Sequence, residues 1–478
     1  FKQKTAYEIR LSLVGSEMCI RDRKKVMQET KFLRVLSRKE VLALAFGAMV
    51  GWSWVVLSAD WIQAAGTLGA VLAFLVGGLI MLVIGLTYAE LASALPFAGG
   101  EHVYSQRALG SLASFICTWS IILGYVSVVT FEAVALPTVL GSFIPGLDKV
   151  YLWTVAGWDV YLTWVLVGVA GSLGMTILNI RGVRAASFVQ IAVVGIILCV
   201  GLAFVLGSIS LGDTDNLIPF FEDGFSGITL VLVMVPFMFV GFDTIPQAAE
   251  EIDLPFRDIG SVLMLSVFMA VAWYSLIILG VGLMLNPEDY NSTDLAAAEA
   301  NSIIFGEFGR LAMLAAGLAG IMTSWNAFIV GGSRAIYALA RARLLPAVFG
   351  ELHPLYRTPK NAILLIGLLS MLGPLFGRPV LVWLVDAGGF GIVISYAMVA
   401  LSFLVLRKRE PDLPRPFRVR FGKLIGSAAL LLSIGLAILY LPGSPSALLW
   451  PNEWAIFIGW CAFGAAMYFM APKNKADC

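Results

Sequence analysis

Residues Ile228 to Asp253 read ITLVLVMVPFMFVGFDTIPQAAEEID, and this stretch decides how the rest of the chain is understood. It begins as an apolar membrane span and then places Pro236, Gly241 and Pro246 close together, with the carboxylate of Asp243 beside the glycine. Proline removes a backbone donor and crowds the preceding turn, and glycine weakens a helix. In hydrocarbon an unpaired backbone group costs several kcal/mol, so a broken helix persists only inside protein or beside water. Its exposed half-helix ends carry partial charges that can hold a ligand or ion. The segment is therefore read as half of a substrate site.

The surrounding composition is that of a membrane protein. Hydrophobic residues make up 59% of the 478 positions, charged residues 13%, and mean hydropathy is +0.88. A span needs ~20 apolar residues. Twelve such runs are read at about 41–63, 67–95, 111–143, 160–180, 186–208, 227–250, 259–285, 310–340, 361–377, 379–406, 424–441 and 454–471. The expected class is an all-α polytopic membrane protein with 12 transmembrane helices embedded in membrane lipids. With this numbering, Lys and Arg outside the membrane reduce to Lys149, Arg310 and Arg378. The inner segments hold Arg107, Arg181, Arg184, Arg257, Arg334 and the basic run after Leu406. That asymmetry places both termini in the cytoplasm. The net charge of +1 gives no reason to expect a nucleic-acid partner.

Residues 1–23 lack the pattern of a signal peptide and are read as foreign to the native start, with Met27 opening a more natural one. Cys117, Cys199 and Cys461 lie in apolar runs and read as small hydrophobes. His102 and His353 are expected in cytoplasmic loops, and the sequon Asn291-Ser292-Thr293 in an outer loop.

The first run contains GAMVGWSW over Gly47–Trp54. Two glycines four apart are ordinarily a helix-packing notch, but the flanking polar and indole groups favour a second break. Beyond it come Tyr88-Ala89-Glu90-Leu91 with Leu95-Pro96-Phe97-Ala98-Gly99-Gly100 and Tyr104, then Asn179-Ile180-Arg181-Gly182-Val183-Arg184. The sixth run exits through Ala249-Glu250-Glu251 and Arg257, and the tenth through LRKREPDLPRPF. Taken together and in this order, these pieces resemble the amino acid–polyamine–organocation permeases over residues of about 41 to 420.

The resemblance implies a LeuT-type fold, a 5+5 inverted repeat with helices 1 and 6 broken, plus two extra C-terminal helices. The expected organisation is a tail at 1–40, repeats at 41–208 and 227–406, helices 11 and 12 within 424–471, and a tail at 472–478. Interruption of corresponding spans in two halves is also the sequence pointer expected for such a repeat.

By the same resemblance, Met49, Gly51, Trp52 and Ser53 would meet the substrate carboxylate, with Ser53 standing where the family usually has a third glycine. Carbonyls around Phe237, Phe239 and Val240, beside Gly241, would face its ammonium, with Phe237 as an aromatic gate. Asp243 matches a common acidic position, and an ionisable residue inside a span is functional by default. Glu250 and Glu251 read as solvated, Glu132 and Asp386 as lying at the outer interface.

For the coupling ion, Gln190–Leu198 of span 5 has no ionisable residue where proton-coupled relatives place a lysine. Gly320, Thr323 and Ser324 share a helical face. With Gly47 and Val50 they resemble a sodium site, its hard oxygens suiting an alkali cation, although such hydroxyls also bond back to their own helix. Sodium is favoured over proton, and no other cofactor is expected. The function so read is ion-coupled secondary active transport of an amino acid or related amine by alternating access. A proton-coupled permease or exchanger is the alternative, and a transport-inactive sensor is the alternative of another class. An enzyme would need clustered His, Cys or carboxylates that the chain does not supply.

Overall fold

The structure, a computed structural model, describes residues 34, 36–141, 143, 144, 146–286, 289, 290 and 295–472, with only the backbone for 183–189. The leading stretch, the sequon and the basic residues of the C-terminal tail lie outside the described residues. Among those described, ten helices are long and apolar enough to cross a membrane. Lys360–Phe376 forms a shorter apolar segment, and an 18-residue helix, Asn452–Phe469, closes the chain.

The first span breaks as its glycines and polar residues suggest. Helix α1 (Arg38–Val50) opens with a capping box between Ser37 and Glu40. It stops at Gly51, whose φ of 47° is disfavoured for any side chain with a Cβ. The chain resumes in α2 (Ser53–Val56) and α3 (Ser58–Ala65). Helix α4 (Thr67–Ala94) follows, then α5 (Glu101–Leu109), α6 (Ser111–Gly141), α7 (Leu162–Arg181) and α8 (Val183–Leu211). Between α6 and α7 an antiparallel hairpin, β1 (Tyr151–Val155) with β2 (Trp158–Tyr161), caps one end of the bundle.

The second half opens on the other broken helix. α9 (Gly224–Phe239) ends at Val240 and α10 (Thr244–Gln247) begins after Asp243. α11 (Phe256–Met284) packs along α4. α12 (Ala296–Arg341) is two helices that meet at a break at Gly306, where φ is 64°, and its second part lies against α6 and α8. α13 (Lys360–Ser370), α14 (Val380–Arg409), α15 (Gly422–Leu439) and α16 (Asn452–Phe469) complete the bundle.

Two sequence expectations change here. His102 is not in an open loop: it lies in α5, buried, with its Nδ1 2.8 Å from the Ser114 hydroxyl. Burial pushes its imidazole down to about 4. Glu251 is not solvated either, being 4% exposed and paired with Arg334 at 2.8 Å. Arg257, its neighbour in sequence, is exposed instead. Both differences arise because short segments between spans pack back onto the bundle.

Candidate substrate site

The two broken helices meet at their breaks. Gly241, with φ 137°, lies so close to α1 that a Cβ there would sit 2.8 Å from the Ala48 methyl and 2.9 Å from Met49 N. On the other side of α1, a Cβ at Gly320 of α12 would come 1.8 Å from the Gly51 carbonyl oxygen. Backbone fills the space at Gly320, while at Gly241 the Ala48 methyl and Met49 crowd a position whose positive φ already favours glycine.

The exposed backbone of the first break is met by side chains. Tyr274 of α11 donates to Met49 O at 2.7 Å and shares a hydrogen bond of 2.7 Å with the Ser53 hydroxyl. Trp54 Nε1 donates to Gly51 O at 3.1 Å. At the second break the Asp243 carboxylate accepts from Gly241 N at 2.9 Å and from the Tyr396 hydroxyl at 3.3 Å. These bonds answer the cost of irregular backbone at depth, and neither tyrosine stood out in the sequence.

Beside the breaks is a small cavity of about 20 Å³, room for about one water. Met49, Gly51, Trp52 and Ser53 line it from the first broken helix, Phe237 and Met238 from the second, and Phe131, Phe328 and Ser324 from α6 and α12. The structure thus brings together five of the residues expected to hold a substrate, with Ser324 from the expected sodium set. Phe239, Val240, Gly241 and Asp243 are not among the lining residues. Phe239 packs against Phe74 and Tyr274, Val240 ends α9, and Asp243 ties the second break to α14.

Glu132 also lines this cavity, which corrects its reading as an interface residue. It is 2% exposed and accepts a hydrogen bond from the Ser324 hydroxyl through Oε1. That partner lies 192 positions away in sequence, so no local pattern announced the burial.

Of the residues expected to hold sodium, Gly47, Gly320, Thr323 and Ser324 are linked by hydrogen bonds. Thr323 Oγ1 donates to Gly47 O at 3.0 Å across the helix interface and to Gly320 O at 2.8 Å. Ser324 donates to Gly320 O at 3.1 Å, and Val50 O accepts from Tyr274 at 3.2 Å. Carbonyl and hydroxyl oxygens make up this set, a chemistry that fits a hard cation. Gln190 of α8 adds an amide whose Nε2 donates to Ala43 O at 3.3 Å and Thr323 O at 3.4 Å.

The two helix breaks therefore meet beside this small cavity. An amino acid permease family model matches residues 36–466. The chain belongs to that amino acid permease family. It is similar to a methylthioribose transporter of Bacillus subtilis (strain 168), at 24% identity over 93% of this chain and 94% of the relative. A branched-chain amino acid permease of the same organism is 27% identical over 94% of this chain and 95% of its own length. An aspartate–proton symporter, again from Bacillus subtilis, is 27% identical over 84% and 78%. This member of the permease family is thus an integral membrane protein whose named relatives are transporters.

Proposed function

We propose that this permease is a secondary active transporter of an amino acid or related amine, working by alternating access in the plasma membrane with both termini cytoplasmic. The observation that carries the reading is the contact of the two helix breaks, Gly241 against Ala48 and Met49, beside a cavity reached by both. In this reading twelve spans form a 5+5 inverted repeat with two further helices. The substrate carboxylate rests near Met49, Gly51, Trp52 and Ser53. Its ammonium lies toward the carbonyls of Phe237, Phe239 and Val240 beside Gly241, and Asp243 couples the second break to the transport cycle.

Sodium is the favoured coupling ion, at Gly47, Val50, Gly320, Thr323 and Ser324. The support is the cross-helix bond from Thr323 to Gly47 O, which gathers the oxygens of both helices. Binding would require the Thr323 and Ser324 hydroxyls to turn their lone pairs toward the ion. A proton is the second reading, favoured by the similarity to an aspartate–proton symporter. Uptake of labelled amino acids, amines and methylthioribose into proteoliposomes tests the assignment, with sodium or choline outside at fixed pH and potential. Accumulation that needs sodium supports the favoured reading. Full accumulation in choline under an imposed pH gradient supports the proton. Thr323→Ala with Ser324→Ala is expected to raise the sodium requirement ~10-fold or more, equivalent to ~1.4 kcal/mol per decade.

A further inference from the structure

Glu132 is chemically out of place unless something comes to meet it. Its carboxyl group lies inside the bundle, 2% exposed, on the wall of the cavity. Oε1 is taken by the Ser324 hydroxyl, while Oε2 has no hydrogen-bond partner among the described residues. The other lining groups are apolar or neutral: no lysine, arginine or histidine is among them. A buried carboxylate without a counter-charge costs several kcal/mol, and a buried acceptor without a donor is costly as well.

Position adds to the argument. Glu132 Oε1 lies 3.4 Å from where a Gly51 Cβ would stand, so the carboxyl faces the first helix break directly. Phe131 and Phe237 stand on the same cavity wall, with ring centroids 6.1 Å apart. The cavity therefore offers apolar surface and one carboxyl oxygen with an open place for a partner. A neutral ligand without a donor would leave that oxygen unsatisfied.

Building on the transport reading, we propose that Glu132 binds the positively charged nitrogen of the substrate together with the carbonyls beside Phe237, so that a carboxyl side chain as well as backbone selects molecules carrying an ammonium group. The contact is a charge-assisted hydrogen bond to Oε2, made while Ser324 continues to hold Oε1. Two sources of that nitrogen share this chemistry, an α-ammonium and a terminal amine, and they are separable by choice of probe.

The test is equilibrium binding to purified wild-type and Glu132→Gln protein with L-leucine, cadaverine and 2-hydroxyisocaproate, which is leucine with a hydroxyl in place of its ammonium. Glutamine keeps the shape and removes the charge, so an ammonium-bearing probe is expected to bind at least ~30-fold more weakly. The hydroxy acid is expected to keep its affinity. Loss for leucine assigns Glu132 to the α-ammonium, and loss for cadaverine alone assigns it to a terminal amine. Unchanged binding of both amines, or an equal loss for the hydroxy acid, overturns the proposal while leaving transport intact. Wild-type protein that binds none of the probes and accumulates no substrate would instead overturn the transport reading on which the proposal rests. Should Glu132→Gln not fold, carbodiimide labelling of wild-type Glu132, read by peptide mass spectrometry, replaces it. Slower labelling with the amines and not with the hydroxy acid supports the contact, and equal labelling with all three probes overturns it.

Discussion

At the scale of single residues the site is held by close approach and by a few polar contacts. Gly241→Ala would force a methyl into Ala48 and Met49 while straining a backbone at φ 137°. Overpacking of this kind costs ~1–3 kcal/mol, and strain at a glycine-type φ adds ~1–2 kcal/mol. The expected outcome is a lower melting temperature with transport abolished; wild-type values for both would show that the breaks are not in contact. Asp243→Asn keeps the shape of the group bridging Gly241 N and the Tyr396 hydroxyl. It is expected to leave a folded protein with an altered transport rate or pH profile, and unchanged kinetics at every pH would remove Asp243 from the cycle. His102, in α5 outside the spans, supplies a pH dependence of stability. Its folded value near 4 lies below the ordinary 6.5, so the unfolded chain binds the proton more readily between the two. Stability on this account falls as pH drops from about 6.5 toward 4 and changes no further through this group below that. His102→Gln is expected to flatten that part of the pH–melting curve, and an unchanged slope would assign the loss elsewhere.

At the scale of elements, the breaks were legible because proline and glycine act through local backbone chemistry. Pro236 and Gly241 near the second break, and Gly51 in the first, lie where the helices end. What lay outside local reach was the company each break keeps. Tyr274 and Tyr396 look like ordinary members of apolar runs, and their roles follow only from folding. Helix α5 was missed because EHVYSQRAL has little apolar content, yet its first turn packs against the end of the second broken helix. Gln247 Nε2 donates to Glu101, and Gly99 N donates to Gln247 O at 3.3 Å. Leu36, just before α1, pairs with the strand-like exit after α10 through Leu36 N to Glu251 O at 3.0 Å and Asp253 N to Leu36 O at 2.9 Å. The beginning of one broken helix and the end of the other are thus fastened together, with Arg334–Glu251 buried behind them. Breaking that ion pair by Arg334→Ala strands a buried carboxylate and is expected to cost ~3–5 kcal/mol, measured by thermal or denaturant unfolding. A loss under ~1 kcal/mol would mean Glu251 finds solvent without it. Cysteines placed at Met49 and Phe237 should both label more slowly with saturating substrate, since both face the same cavity. Labelling that ignores substrate at both positions would separate the two breaks functionally.

At the scale of the whole molecule, class came from composition and family from a series of motifs in order, and the match over residues 36–466 agrees with both. The pieces of the site that the sequence missed come from helices distant in the chain. Glu132 on α6 and Ser324 on α12 meet only because α12 packs against α6 beside the first break. In the expected sodium set, the Thr323 and Ser324 hydroxyls bond to neighbouring carbonyls, Gly47 O and Gly320 O among them, the local alternative that such residues offer on any helix. The central claim is that two helices broken at facing glycines enclose the substrate site of an amino acid or amine transporter. The most direct measurement is time-resolved uptake of a labelled amino acid and amine panel by proteoliposomes of the purified wild-type chain, with Gly241→Ala in parallel. The account predicts saturable uptake of at least one amine-bearing compound by the wild type and none by the variant. A folded, correctly reconstituted wild type that takes up no member of the panel under sodium or pH gradients, or equal uptake by the variant, would contradict it.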